Sequence, residues 1–363
     1  MWDEQAPPAR LLTFRSGGWV LLLTVLLAVV IIAVTVAPAL RRLGDRPPGD
    51  GRDPAAYGFD LSTCLVPRDE LVAAQLHRDL LQSLVDPPII DGRSVARFNE
   101  EHRGKYLVSR DRVIGVRIGD QARAYPLLVL SSHEIVNDVL GGRPIAVTYN
   151  PLCDSVVVFD RTVDGQALGF GVSGLLYNSN LLMYDRRPDM RSESLWSQLE
   201  ARAITGPAAE NGRRLTVIPA ELTHWEDWLS RHPDTTVLAP DEAALQRYRP
   251  QHSKYEGYFH TDKLMFAVEA EPSEYTFPPK TPCVVVRAVG GERLYPLASI
   301  ADRVNGTGMW TDAIDGEIFT FHHAPDPNVV RVTSGAGEEA AVVIYCFWFA
   351  WHAMHPDTEV GGM

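Results

Sequence analysis

The feature that most restricts the fold of this chain is a segment of sixteen residues that occurs twice. RVIGVRIGDQARAYPL, at Arg112–Leu127, aligns without a gap on PCVVVRAVGGERLYPL, at Pro282–Leu297. In each copy two short strand-like runs flank a turn that contains glycine, which predicts a β-hairpin, and Tyr-Pro-Leu then leads toward a helix. A chain that repeats such a unit is expected to fold as two related β-rich parts.

The repeat continues beyond the hairpin. Ser131–Gly142 matches Ser299–Gly306, and we expect each segment to be a short helix that ends at glycine. Each begins with the spacing of a capping box, a serine followed three residues later by an acidic residue. The strand segment TYNPLCDSVVVFDR then matches TFHHAPDPNVVRVT. Three matched elements in the same order predict an α+β, mainly β fold with two related lobes, 106–240 and 241–363, packed as one body.

The N-terminal segment is predicted to be a membrane anchor. Between Arg15 and Arg41 lie 25 consecutive residues without a charge, and a helix of that length spans the ~30 Å hydrocarbon core of a bilayer. A cleavable signal peptide is the alternative, but the apolar region of a signal peptide is usually about 7–15 residues long. We therefore expect a short tail at 1–16 and a single transmembrane helix at 17–40.

A tether and a lead-in helix are expected at 41–105. Arg41 to Tyr57 is rich in proline, glycine and charge, which is typical of a solvated tether. Leucines at helical spacing between Arg68 and Val85 predict the lead-in helix.

Charge excludes one class of partner. The formal net charge is -12 at pH 7, and the chain has no run of basic residues. Nucleic-acid binding requires clustered lysine and arginine to neutralise phosphates, so we expect no nucleic-acid partner. The membrane is the expected partner through the N-terminal helix. The sequence is also compatible with a protein partner or a small ligand.

Motifs along most of the chain resemble a known family. They are ARAYPL, SSHEIVND, TYNPLCDSVVVFDR, GVSGLLYNSNLLMYDR, ESLWSQ and FWFAWHAMHPDT. Together, over about Tyr106 to Val360, they resemble the prokaryotic family called domain of unknown function 3179. Its members look like secreted or membrane-anchored proteins, so the resemblance implies a single-pass membrane protein with its body on the extracytoplasmic side. The resemblance implies no activity.

Disulfides can persist in that compartment. The chain has four cysteines, Cys64, Cys153, Cys283 and Cys346. They allow three full pairings, among which the sequence does not choose.

Cys153 is the main candidate for chemistry. It lies in a predicted turn before a valine-rich strand, and turns beside a rigid sheet often carry functional sites. His133 is predicted in the first turn of a helix, where the helix N-terminus favours the neutral imidazole. The first hypothesis is therefore a thiol–imidazole site, supported by Asn150. Cys153 would be a ligand for a soft metal ion such as copper, with His133, or a nucleophile with His133 as its base.

The resemblance gives this hypothesis only limited support. Many members of the family have a second cysteine at the position of Asn150, whereas only Cys153 remains here. Packing is the other interpretation, since a free cysteine is among the most buried residue types.

A set of polar residues is predicted to bind a ligand: Asn137, Asn150, Ser173, Tyr177 and Arg186. Glycines near Ser173 permit close backbone approach, whereas Arg186 fits a structural ion pair as well as a substrate clamp. The second lobe has His322, His323, Cys346, His352 and His355, without the tight spacing of a metal site.

The second hypothesis is a non-catalytic scaffold that uses the interface between the lobes for a ligand or partner. The sequence has no phosphate loop, G-x-S-x-G elbow or H-E-x-x-H motif, and its aromatic C-terminus is expected to pack between the lobes. A Cys153 sulfur sealed among Val156, Val157 and Phe159 would favour this hypothesis.

Overall fold

The computed structural model describes residues 19–20, 22–28, 30, 47–102, 105–239, 255–268, 276–304, 308–325, 328–335 and 339–362. The chain divides into two compact units, Met1–Pro47 and Pro48–Met363. In the first unit, residues 19–20, 22–28 and 30 are helical. Within the described ranges, no helix has both the length and the apolar character needed to cross a bilayer. Most of the span predicted at 17–40 lies outside those ranges.

The second unit is an α+β body in which strands predominate, as predicted. Its strands are β1 (Leu71–Ala73), β2 (Leu84–Val85), β3 (Ile89–Asp91), β4 (Arg112–Ile118), β5 (Gln121–Pro126), β6 (Ile135–Leu140), β7 (Arg143–Asn150), β8 (Ser155–Asp160), β9 (Thr162–Val163), β10 (Gln166–Ala167), β11 (Phe170–Tyr177), β12 (Asn180–Asp185), β13 (Leu195–Ser197), β14 (Arg202–Ala203), β15 (Thr216–Val217), β16 (Glu221–His224), β17 (Thr236–Leu238), β18 (Pro282–Arg287), β19 (Glu292–Pro296), β20 (Met309–Ile314), β21 (Glu317–Pro325), β22 (Asn328–Ser334), β23 (Val342–Phe347) and β24 (Glu359–Val360). Its helices are α1 (Ser94–Glu101), α2 (Leu127–His133), α3 (Gly206–Glu210), α4 (Trp225–Arg231), α5 (Leu297–Val304) and α6 (Trp348–Met354). Residues 255–259 are also helical.

Two sets of four strands have the same topology. The first quartet has the order β16-β4-β5-β17, and the second has the order β23-β18-β19-β24. In both, the repeated hairpin is antiparallel and the last strand runs parallel to the second hairpin strand. Each hairpin leads directly into a helix, α2 or α5, at the leucine of Tyr-Pro-Leu.

Along the chain, three antiparallel strands follow the hairpin of each quartet and precede the quartet's two other strands. The first meander, β6-β7-β8, joins the second quartet in a nine-stranded sheet, where Val156 of β8 pairs with Tyr345 of β23. The second meander, β20-β21-β22, forms a sheet of its own, and β22 lies beside β16 of the first quartet. Each meander therefore meets the quartet of the other half of the chain.

The segment between β8 and β16 adds a further layer. Strands β11 to β14 of this insertion form a five-stranded sheet with β1 from the lead-in segment. Phe170 and Trp196 of this sheet pack edge-to-face and belong to the same buried core as Phe159 of β8. The insertion therefore covers one face of the nine-stranded sheet.

An Arg–Tyr–Asp network ties the first quartet to the first meander. Arg123 Nη1 and Tyr125 OH both donate to Asp138 Oδ2, at 2.6 and 2.7 Å. Asp138 Oδ1 accepts from the backbone N–H of Val139 at 2.7 Å. Burial and the Asp138 carboxylate raise the pKa of Tyr125, so its hydroxyl remains protonated and donates.

The same network recurs in the second half. Arg293 Nη1 and Tyr295 OH both donate to Asp312 Oδ2, at 3.2 and 2.8 Å. Asp312 Oδ1 accepts from the backbone N–H of Ala313 at 2.9 Å. In both halves one carboxylate therefore joins the second hairpin strand to the first strand of the meander.

The predicted lead-in helix at Arg68–Val85 is wrong. The segment contains β1, which pairs with β11, and β2, which runs parallel to β6. Leu76 and Leu80, which were expected on a buried stripe, are exposed. Asp79 has a φ of 53°, which a helix does not accommodate. Sheet pairing satisfies the backbone of this segment instead.

The predicted helix at Ser131–Gly142 is also wrong. The helix α2 ends at His133, and the β-branched residues that follow form β6. Glu134 has a φ of 56° and breaks the helix, while the Ser131 hydroxyl donates back to Leu127 O at 2.7 Å. There is no capping box, and His133 lies in the last turn of a helix, not the first.

Asp138 and Asp312, the carboxylates of the two Arg–Tyr–Asp networks, differ in burial, so their substitutions should differ in cost. The side chains of Arg123 and Asp138 are 9% and 6% exposed, so Asp138→Asn leaves a buried cation without its partner. We expect a loss of about 3 kcal/mol in the free energy of unfolding. Asp312 is 27% exposed, and Asp312→Asn should cost about 1 kcal/mol.

Urea unfolding of the two variants measures these losses. Asp302→Asn, at an exposed position of α5, is the matched control and should change stability by less than about 0.5 kcal/mol. An Asp138 variant as stable as the control would contradict the structural role of the network.

Candidate functional site

The Cys153 turn joins β7 to β8 and is fixed by its neighbours. Asn150 Oδ1 accepts from the backbone N–H of Leu152 at 2.8 Å. Asp154 accepts two hydrogen bonds from Arg112, at 3.0 and 2.8 Å, and one from Tyr149 OH at 2.9 Å. The turn is therefore rigid, as a site requires.

The thiol of Cys153, however, is sealed. Its residue exposure is 0%, and it lies in the same core as Val157 and Phe159. Its Sγ donates to Ser179 O at 3.3 Å. Burial raises the pKa of the Cys153 thiol far above its ordinary value, so the thiol is protonated at neutral pH. A protonated, enclosed thiol is neither a metal ligand nor a nucleophile.

Part of segment 255–268 covers the turn. Tyr258 OH donates to Leu152 O at 2.9 Å, and Ser179 Oγ donates to Phe266 O at 2.7 Å. Lys280 Nζ holds the segment by donating to three of its carbonyls, at 2.6 to 2.8 Å. The Cys153 turn is therefore enclosed from this side by chain that comes from the second half.

His133 bonds elsewhere. Its Nδ1 donates to Gln82 O at 2.7 Å, whereas the Cys153 thiol bonds to Ser179. The prediction that a helix N-terminus acts on His133 is wrong, because the residue lies in the last turn of α2. In the part of the chain that the structure describes, no group of three or more His, Cys, Asp or Glu side chains could hold a metal ion. The geometry gives the thiol–imidazole hypothesis no support.

The polar residues predicted to bind a ligand have structural partners. Asn137 donates to Phe170 O at 2.8 Å and accepts from Phe170 N at 2.7 Å. Ser173 Oγ donates to Leu182 O at 2.5 Å. Asn150 stabilises the Cys153 turn, and Tyr177 is buried on β11 beside β1.

Arg186 forms the structural ion pair that was one of its two interpretations. It pairs with Asp79 at 2.8 Å and donates to Tyr184 OH at 3.2 Å.

The glycine spacing at Gly169–Gly174 matches G-x-G-x-x-G, but most of that segment forms β11. It is therefore not the strand-to-helix turn that a dinucleotide needs.

A buried network explains the motifs TYNPLCDSVVV and ESLWSQ. Gln198 Oε1 accepts from Ser155 Oγ at 2.7 Å and from Asn180 Nδ2 at 2.9 Å. Gln198 Nε2 donates to Thr148 Oγ1 at 2.8 Å. The amide of Gln198 is thus satisfied at both ends, and the network joins the inserted sheet to the nine-stranded sheet.

A cleft lies at the other contact between the halves, among the residues that the structure describes. We call the β8–β23 contact the sealed junction and the β22–β16 contact the open junction. A cleft of about 1160 Å³ lies at the open junction. A smaller pocket of about 160 Å³ shares Glu221, Arg231, His322 and Arg331 with it.

One wall of the cleft comes from the first quartet and α4. Gly115 permits Trp228 to lie on β4, because a Cβ atom there would be 2.3 Å from the indole. The His232 ring packs against Trp228 with 4.0 Å between the ring centroids and 43° between the ring planes. Arg231 Nη2 is held at 2.6 Å from Glu221 and 2.7 Å from Asp227.

The other wall comes from the second meander. His322 of β21 lies directly opposite Arg331 of β22, so both side chains are on one face of the sheet. His322 Nε2 lies 3.2 Å from Thr333 Oγ1. Among the described residues, the Arg331 guanidinium has no hydrogen-bond or ion-pair partner.

Two half-buried arginines line the cleft, of which Arg231 is paired with Glu221 and Asp227. Burial lowers the pKa of His232 to about 4, with further lowering by Arg231, Arg117 and Arg331. Burial, Arg331 and Arg231 also lower the pKa of His322. Both imidazoles are therefore neutral at pH 7.

Carboxylates lie mainly at the exposed rim. The exposed lining carries Asp120, Asp234 and Glu339, whereas Arg231 and Arg331 are half-buried. Asp234 also forms an ion pair with Arg93. The cleft is therefore polar and mixed in charge, and the half-buried Arg331 is less exposed than the carboxylates of the rim.

The two junctions differ at equivalent positions. Glu221 lies opposite Gly115 in the first quartet, and Ile344 lies opposite Val285 in the second. Gly115 and Val285 are matched positions of the repeat. A charged residue at the open junction thus corresponds to an apolar residue near the sealed junction.

A second repeated motif in the sequence points to the cleft, although the predicted site residues did not include it. WLSRHPDT at Trp228–Thr235 and WHAMHPDT at Trp351–Thr358 share Trp, His, Pro, Asp and Thr at the same spacing. Trp228 Nε1 donates to Thr235 Oγ1 at 2.9 Å, and Trp351 Nε1 donates to Thr358 Oγ1 at 3.0 Å. The repeat therefore extends to the end of each half and places His232 in the cleft.

The fold and site define a class of protein: an α+β, mainly β body with two equivalent quartets and a polar cleft at one of their junctions. The family described as Protein of unknown function (DUF3179) matches residues 87–358. The chain belongs to this family, which confirms the resemblance seen in its motifs. No curated protein matches the chain, and no solved structure matches it.

The enclosure of Cys153 gives a prediction for its reactivity. In the folded protein, an aromatic disulfide reagent should modify the half-buried Cys64 at least about tenfold faster than Cys153, because only the thiolate reacts and it needs access. Mass mapping of the modified cysteines over time measures the two rates. Denaturant serves as the control, since it should make the rates similar. Equal rates in the folded state would contradict the enclosed turn.

Proposed function

We propose that this protein binds a small anionic ligand in the cleft at the open junction and does not catalyse a reaction on it. The observation that carries the proposal is the Arg331 guanidinium, which lines the cleft beside His322 without a carboxylate partner in the described part of the chain. A half-buried arginine that is not paired internally is well suited to a carboxylate or phosphate group, which it holds through two parallel hydrogen bonds.

The neighbouring groups support an anion at this place. Arg231 is paired with Glu221 and Asp227, which offset its charge, so Arg331 is the half-buried arginine that is left for an anionic group. His322 is neutral because its pKa is lowered, and a neutral imidazole offers one donor and one acceptor. The anionic group would therefore lie near Arg331 and His322.

The cleft also limits the ligand. Its volume of about 1160 Å³ slightly exceeds the ~300–1,000 Å³ of small-molecule sites, so it has room for a small molecule. The exposed acids Asp120, Asp234 and Glu339 at the rim would repel a polyanion. We therefore propose a ligand with one anionic end and a neutral or cationic remainder.

The proposal places this body outside the cytoplasm, on a membrane anchor. The 25 uncharged residues between Arg15 and Arg41 support the anchor, and the family resemblance supports the side. Two β-rich lobes that arose by duplication are part of the same proposal, supported by the shared order of strands in the two quartets.

Fractionation of cells tests the anchor. The full chain should sediment with membranes, and recovery in the soluble fraction would count against the anchor.

Substitution of Arg331 tests the binding site. Inorganic phosphate, titrated into the protein by calorimetry at low ionic strength, should bind, and Arg331→Gln should weaken binding about tenfold or more. This is the effect of losing one charge-assisted hydrogen-bond donor, about 1.5–3 kcal/mol.

Two control variants distinguish binding in the cleft from general attraction between charges. Arg191→Gln removes an exposed arginine outside the cleft and should leave affinity unchanged. Cys153→Ser should also leave it unchanged, because Cys153 does not line the cleft. An equal loss in the Arg191 and Arg331 variants would show non-specific charge attraction and overturn the proposal.

A further inference from the structure

The two cysteines of the second quartet are cross-strand neighbours. Cys283 of β18 lies directly opposite Cys346 of β23 in the antiparallel register. Directly opposed residues point to the same face of the sheet, with Cα atoms about 4.5–5.5 Å apart. A disulfide joins Cα atoms that are about 4.4–6.8 Å apart. The backbone geometry of this pair therefore suits a disulfide.

The register around the pair is firmly held. The backbone N–H of Trp348 donates to Thr281 O at 2.8 Å, just beyond the pair. Cys283 and Cys346 are 1% and 3% exposed and belong to one buried core. A shift of one residue would move both side chains to the other face of the sheet, so the pairing is a fixed property of the fold.

The other two cysteines are less well placed. Cys64 forms an isolated bridge with Thr205, away from β18 and β23. Cys153 accepts a hydrogen bond at its carbonyl from Phe347 N at 2.8 Å, so it is near Cys346. It lies in a turn, however, and not at a paired strand position. The register therefore distinguishes among the pairings that the sequence leaves open.

We infer that Cys283 and Cys346 form a cross-strand disulfide when the protein folds in the presence of a small-molecule disulfide oxidant. All four cysteines are thiols in the structure, so this is a modification that the fold permits. The inference does not depend on the proposed ligand site.

The reaction is two successive exchanges. The thiolate of one cysteine attacks the oxidant disulfide, which gives a mixed disulfide and releases one oxidant thiol. The thiolate of the second cysteine attacks the protein sulfur of the mixed disulfide and releases the second oxidant thiol. The two cysteines lose two protons and two electrons, and the oxidant gains both.

The exchange belongs to folding and not to the folded state. Burial raises the pKa of Cys283 and Cys346 far above the ordinary value. Enclosed and protonated thiols exchange slowly. The thiols must therefore react before β18 and β23 are covered by the core.

Peptide mapping after oxidative refolding tests the inference. The full chain is unfolded in denaturant with a reductant, then refolded with reduced and oxidised glutathione, alkylated and digested. We expect a linked peptide that contains Cys283 and Cys346 and is lighter by two hydrogen atoms than the two separate thiol peptides. The same protein refolded with reduced glutathione alone should lack this peptide.

Cysteine variants test which residues form the link. Cys283→Ser and Cys346→Ser should each abolish the linked peptide, whereas Cys64→Ser should leave it unchanged. The oxidised protein should also unfold at a higher denaturant concentration than the reduced one. Free thiols at both positions after oxidative refolding, or a link from Cys346 to Cys153 as the main product, would overturn the inference.

Discussion

The structure depends first on a carboxylate that is shared by an arginine and a tyrosine. Asp138 accepts from Arg123 and Tyr125, and Asp312 accepts from Arg293 in the same manner. In each half this network joins the second strand of the repeated hairpin to the first strand of the meander. Because the meander of each half reaches the quartet of the other half, the two networks set the position of both junctions. The sealed turn and the open cleft are consequences of that arrangement.

The same scaffold is used differently at its two junctions. At the sealed junction β8 pairs with β23, and the insertion covers the surface. Burial lowers the pKa of His355, the counterpart of His232, and Glu292 and Glu200 partly oppose this shift. At the open junction no insertion occupies the equivalent place within the described chain, and Arg331 and His322 line a cleft. The shared topology of the two quartets gives two equivalent places, and the one at the open junction forms the cleft.

The sequence predicted the parts of the fold that depend on local pattern. The hairpins and the Tyr-Pro-Leu transitions are clear, because alternation and turn residues act within a few positions. The helix at Ser131–Gly142 failed, since β6 forms by pairing with β7, which local spacing does not report. Cys153 was a reasonable candidate by position, but its burial comes from segment 255–268, far along the chain. No sequence motif around Arg331 indicated the cleft, because Arg331 lines it only when β22 lies beside β16 of the other half.

The most direct test of the open cleft is the titration of its histidines by NMR. Burial lowers the pKa of both histidines, and the nearby arginines lower it further, so we predict that His232 titrates near pH 4 and His322 below the ordinary range. Phosphate bound near Arg331 offsets the charge of the arginines and should raise the pKa of both histidines. It should leave His355, near the sealed junction, unchanged. Ordinary titration of His232 near pH 6.5, with no response to phosphate, would contradict an anion-binding cleft beside Arg331.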